Sequence, residues 1–166
     1  MNDTAAEARP PSKDLPALAL LLALSFVVAW VGGAATFDNV RTWYPGLAKP
    51  AFNPPNWVFG PVWTVLYVLM AVAAWRVWRR RTSPGVRLAL GLYGLQLALN
   101  LAWSVIFFGL HQIGAALAEI LALLAAILAT TLAFWRIDRP AAVMFAPYLA
   151  WVSFATALNL AIWQLN

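Results

Sequence analysis

The segment Gly114–Trp135, GAALAEILALLAAILATTLAFW, decides the fold: it holds one charged residue, Glu119, and no proline. As a helix rising 1.5 Å per residue it would be about 33 Å long, enough to cross about 30 Å of hydrocarbon. Four more stretches have the same character: residues 15–35, 56–78, 88–110 and 141–163. Of the 166 residues, 63% are apolar and 10% charged, whereas a soluble domain carries roughly 25% charged residues. Such a chain cannot build a polar shell around its own apolar mass, so the bilayer has to solvate the outer face. The sequence therefore specifies an all-α membrane protein, a bundle of five transmembrane helices. Short connections between spans 2 to 5 make successive helices antiparallel neighbours. Residues 1–14, with two prolines and mixed charge, read as a disordered polar tail, and residues 15–166 as a single transmembrane domain.

The net charge of +5 reflects topology. Arg9, Lys13, Arg76, Arg79, Arg80, Arg81, Arg87, Arg136 and Arg139 fall on one side of the membrane, against Arg41 and Lys49 on the other. In a bacterial-type cell membrane the positive-inside rule places the N-terminus in the cytoplasm and the C-terminus outside; the charge pattern leaves other membranes open. Because the bases sit beside spans and not along one polar helix face, no nucleic-acid partner is expected. There is no cysteine and one histidine, His111, so thiolate chemistry and multi-histidine metal sites are not expected. Arg79–Arg81 reads as a topology anchor touching anionic lipid.

Residues 36–53 form the one long connection, a lid loop between helices 1 and 2, rich in aromatics and proline (Phe37, Trp43, Tyr44, Pro45, Pro50, Phe52). That composition suits a lid over a site and equally an interfacial aromatic belt. Within span 3, at about 100° per residue, Gln96, Asn100, Trp103 and Phe107 share one side while Gly94, Ala98 and Ala102 share the opposite one. Two amides in hydrocarbon require partners, so the first face looks inward. The small face permits close helix approach, within the bundle or in a homodimer, and alanine ladders on span 4 compete for that role. Aromatic stripes recur on span 2 (Phe59, Trp63, Tyr67, Met70) and span 5 (Tyr148, Trp151, Ala155, Leu158, Asn159, Ile162). Singly, each stripe is ordinary packing. Three of them facing one another, with amides between, describe an apolar pocket with a few orienting polar groups. Glu119 is the only acid well inside a span; it either reaches the interface or pairs with His111.

The run from Trp43 to Tyr67, with Lys49-Pro50, Asn53-Pro54-Pro55-Asn56-Trp57 and Phe59-Gly60-Pro61-Val62-Trp63, resembles the TspO/MBR family of translocator and tryptophan-rich sensory proteins. So do Leu99-Asn100-x-x-Trp103-Ser104-x-x-Phe107-Phe108-Gly109 and Pro147-Tyr148-Leu149-x-Trp151-x-x-x-Ala155-Thr156-x-Leu158-Asn159. The resemblance covers about residues 15–166. It implies five transmembrane helices, a lidded pocket open to porphyrins, and frequent homodimers. Matching positions carry the pocket onto Tyr44, Phe59, Trp63, Asn100, Trp103, Trp151, Ala155 and Leu158. It also implies a porphyrin, protoporphyrin or haem, as ligand, with no built-in cofactor and no metal.

Three functions follow as expectations. The first is a tetrapyrrole-binding sensor, regulator or carrier. The second is a light- and oxygen-dependent porphyrin-degrading enzyme using Trp63 and Trp151 as catalytic redox partners. The third is a structural membrane partner without a small ligand. No nucleophile or general-base arrangement is visible, which favours binding over turnover. The cholesterol-recognition pattern of the animal relatives needs a Tyr and a base near the end of span 5, and Leu158–Gln164 has neither, so cholesterol transport is not carried over. For a porphyrin's propionates, Arg41 and Lys49 are the pairing candidates, with Trp43 and Tyr44 over the ring.

Overall fold

The computed structural model describes residues 14–166 as helices joined by short turns. They are α1 (Leu15–Thr42), α2 (Phe59–Arg79), α3 (Val86–Ser104), α4 (Ile113–Trp135), α5 (Arg139–Val143) and α6 (Ala146–Leu165). Five segments are long and apolar enough to span a membrane, α5 and α6 together making the fifth. α1 packs on α2 and α3, α3 on α4, and α4 on α6. The centre is filled by Met70, Ala73, Ala74 and Val77 of α2, Ile120, Leu123 and Ile127 of α4, and Tyr148 and Val152 of α6. Outward-facing side chains are as apolar as the core: Trp30 is 75% and Leu121 53% exposed. This is the arrangement expected when hydrocarbon replaces water as solvent.

Several boundaries differ from the sequence reading. α1 does not stop at Ala35 but continues to Thr42, which shortens the connection expected over residues 36–53. The polar residues that suggested a loop are accommodated inside the helix. Thr36, Asn39 and Thr42 donate side-chain hydrogen bonds to the carbonyls of Gly32, Ala35 and Asp38, each four residues back. The span expected over 141–163 is broken at Met144–Phe145. Pro147 lies in the first turn of α6, where its missing N–H costs nothing, and helix upstream of a proline is disfavoured.

Asp14, read as part of the tail, is 3% exposed and belongs to the bundle. The rest of that tail lies outside the described residues. The Asp14 carboxylate takes Arg79 at 3.4 Å and Arg81 at 3.5 Å, and its carbonyl accepts from the Trp75 indole at 2.9 Å. Asp138 takes Arg76 and Arg80, both at 3.1 Å, and also caps α5 by accepting from the Ala141 N–H at 3.0 Å. The arginines at the end of α2 therefore clasp the start of α1 and the α4–α5 turn. They are more than the lipid-facing anchor that the Arg79–Arg81 run suggested.

Gly32 brings α1 onto α3, since a Cβ there would meet the Ser104 hydroxyl at 3.3 Å. At the opposite end from the arginines, α3 finishes in a π-turn, Val105–Gly109, with the Leu110 N–H bonded to the Val105 carbonyl. A π-turn carries one residue more than an α-turn. Both Phe107 and Phe108, which lie in this turn, are buried. His111 follows with a left-handed φ of 57°.

Candidate functional site

A cavity of about 680 Å³ lies between α1, α2, α3 and α6, beneath the α1–α2 connection. Its volume is in the range that holds small-molecule ligands, about 300–1,000 Å³. Tyr44, Phe59, Trp63, Asn100, Trp103, Trp151, Ala155 and Leu158 all line it, as does Arg41.

The walls are set by aromatic pairs. Phe59 and Trp151 meet edge-to-face at 5.9 Å between ring centroids, and Trp63 meets Tyr148 at 6.1 Å; together these pairs bridge α2 and α6. Trp103 stacks on Phe107 at 5.2 Å, and Trp63 leans on Tyr67 at 5.6 Å. Polar groups on the wall are satisfied by one another. The Tyr67 hydroxyl donates to Asn100 Oδ1 at 2.6 Å, and Asn100 Nδ2 donates to the Tyr148 hydroxyl at 3.2 Å. The Trp103 indole donates to Asn159 Oδ1 at 3.1 Å, while Asn159 Nδ2 donates to the Ile113 carbonyl at 3.0 Å. Asn100 thus holds α2, α3 and α6 at one point. Gln96, one turn below it and fully buried, has no partner for either amide atom among the described residues.

The connection above the cavity is tightly stitched. The Tyr44 phenol donates to Asn53 Oδ1 at 2.6 Å, and burial pushes its pKa up to about 12, so it stays a neutral donor through the neutral range. Lys49 donates to the carbonyls of Tyr44, Pro45 and Leu47 at 2.8, 3.0 and 2.7 Å. All three ammonium protons are engaged. Lys49 is absent from the cavity wall, whereas the Arg41 guanidinium rests 4.4 Å over the Phe37 ring on the cavity rim. Of the two cations expected at the mouth, the geometry leaves Arg41.

Trp43 also differs from expectation. It stacks on His111 at 4.2 Å and does not line the cavity. His111 bonds to Asn39 Oδ1 at 2.9 Å, not to Glu119, whose carboxyl oxygens are buried without a hydrogen-bond partner among the described residues. Sequence reasoning named Arg41 and, as a lid aromatic, Phe37, but missed the rest of the α1 wall, including Phe26, Ala29, Gly33 and Thr36. Up to Ala35, α1 holds a single polar side chain, Ser25, so no stripe marked the inward side.

Gly94 and Ala98 lie exposed on the outside of the bundle, and a Cβ added at Gly94 would meet nothing within 4 Å. That face is unoccupied within the single chain, and Ala102 at its end is half-buried.

Comparison with known proteins agrees with this architecture. The TspO/MBR family model matches residues 20–164. The chain is 40% identical over 159 residues to the tryptophan-rich protein TspO of Chlorobaculum tepidum, covering 93% of this chain and 99% of that one. It is 43% identical over 155 residues to the translocator protein of Homo sapiens, covering 92% and 90%. The tryptophan-rich sensory protein of Cereibacter sphaeroides is 41% identical over 147 residues, covering 87% and 91%. This chain is an integral, multi-pass membrane protein belonging to the TspO/MBR family.

Proposed function

We propose that the protein binds a tetrapyrrole of the protoporphyrin or haem-precursor class in the aromatic cavity and acts as a sensor, regulator or carrier. The observation that carries this reading is the cavity itself: flat aromatic walls from three helices, self-satisfied amides, and one guanidinium on the rim. A porphyrin offers a broad apolar face to the indoles, and its propionates need water or a cation at the edge. No nucleophile, general base or metal-ligand cluster lies among the described lining residues, so binding fits the wall better than turnover.

Dark titration of the detergent-solubilised protein with protoporphyrin, followed by tryptophan fluorescence, should give saturable quenching. Its absence would leave the structural-partner reading. Trp63→Phe with Trp151→Phe should keep dark affinity within about tenfold, since aromatic area is retained. Should illumination bleach the bound porphyrin in the wild type and not in this pair, the cavity is an indole-dependent photochemical site.

Arg41 carries the propionate contact in this reading. Arg41→Gln should weaken the free acid several-fold while leaving the dimethyl ester unchanged, and added salt should narrow the difference because the cation is exposed. Lys49→Gln should affect acid and ester alike, because Lys49 holds the lid backbone. A loss confined to the acid in Lys49→Gln would reverse the assignment.

The exposed Gly94–Ala98 face is the proposed homodimer contact. Gly94→Leu with Ala98→Leu should abolish crosslinked dimer while dark affinity persists; an unchanged dimer would exclude this face.

A further inference from the structure

The connection above the cavity is fastened, and the exposed part of the cavity lining lies at the side, on α1 and α2. Above, the connection is fastened at three places besides its internal bonds. The Ala48 N–H and carbonyl pair with the Asn166 side-chain amide at 3.0 Å each, Phe52 packs on Phe154 at 6.2 Å, and Trp43 stacks on His111. These contacts tie the lid to the end of α6 and to the α3–α4 turn.

At the side, between α1 and α2, both helices show the same division. On α1, with Gly33 as reference at about 100° per residue, the exposed lining residues Phe26 and Phe37 fall at about +20° and +40°, whereas half-buried Ala29 and Thr36 fall at about −40° and −60°. On α2, with Gly60 as reference, exposed Thr64 falls at about +40°, whereas Trp63 and Tyr67 fall at about −60° and −20°. Each helix therefore turns one edge into the cavity and the next edge outward, with a glycine where the two edges meet. A Cβ added at either Gly33 or Gly60 would find no atom within 4 Å. Exposed and cavity-facing lining residues therefore meet along this seam, on two helices long and apolar enough to span a membrane.

Resting on the ligand-binding reading above, we propose that the ligand enters sideways from the hydrocarbon, through the α1–α2 seam past Gly33 and Gly60, while the lid stays shut. The ligand class is accordingly a membrane-partitioned amphiphile, with its apolar ring leading and its acids trailing toward Arg41.

The absence of cysteine makes the test direct. Protein in phosphatidylcholine vesicles is mixed with vesicles carrying protoporphyrin, and tryptophan quenching is followed in time. In Ala48→Cys with Asn166→Cys, the disulfide locks the lid. Oxidised and reduced forms should associate at rates within about twofold of each other. Gly33→Trp and, from the facing helix, Gly60→Trp should slow association by about tenfold; both positions line the cavity, so the association rate and not the Kd is read, and Thr64→Trp supplies a third plug if either glycine variant does not fold.

Association that is about tenfold slower in the oxidised lid pair than in the reduced one would overturn lateral entry. Unchanged rates in folded, plugged forms would do the same. Saturable binding with these wrong rates removes only the entry route, whereas no saturable binding in the wild type removes the ligand-binding reading and the route with it.

Discussion

Asp138→Ala is expected to destabilise the protein by about 3 kcal/mol, which combines the loss of a buried ion pair with the loss of a helix cap. The carboxylate is 3% exposed as a side chain, receives Arg76 and Arg80, and accepts the Ala141 N–H. Its removal leaves two guanidiniums facing one another with no counter-charge and uncaps α5. Arg76 and Arg80 are 34% and 53% exposed, so water relieves part of the penalty, which places the effect at the low end for buried pairs. Arg80→Gln, removing the more exposed partner, should cost less than about 1 kcal/mol. Reversible unfolding in mixed micelles compares the two, and equal losses would mean that Asp138 acts only through Arg80.

Asn100→Leu should be of similar size, about 2–4 kcal/mol, because it strands two hydroxyls in an apolar interior. Tyr148 is fully buried and does not line the cavity, so nothing replaces its lost amide partner, whereas Tyr67 borders the cavity, where water relieves part of the penalty. Leucine is close to isosteric, which makes the effect one of hydrogen bonding and not of a void. Tyr67→Phe in the Asn100→Leu background should then restore part of the loss by removing one orphaned hydroxyl. Additive losses in the double mutant would show that the two groups are not coupled. Dark porphyrin affinity should fall as well, since Asn100 aligns the three helices that carry the walls.

The five spans were legible because hydropathy over some twenty residues is a property of the segment alone. The inward face of α3 was legible for a related reason. Two amides cannot look at lipid, and the opposite face carried no polar side chain. What escaped depended on partners distant in sequence. Asp14 and Asp138 look like loop residues until α2 brings four arginines to them. Lys49 reads as a free cation until the lid curls three carbonyls around it. The extension of α1 was hidden because Thr and Asn suit loops and caps as well as helix interiors where they bond four residues back. The α1 wall before Thr36 had no signal, because a helix that meets lipid on one side and an apolar cavity on the other is apolar on both.

The π-turn at Val105–Gly109 ends span 3 and sets the direction in which the chain leaves it. Its surplus residue acts as a register offset: deleting one residue there would convert the turn to plain helix and rotate the following side chains by roughly 100°. Span length would scarcely change, and neither would hydropathy, yet the α3–α4 turn would be reoriented and His111 would swing away from Trp43. The shape of the cavity therefore depends on a count of residues at one place in the chain as well as on their identities, and a length change invisible to composition would unmake it.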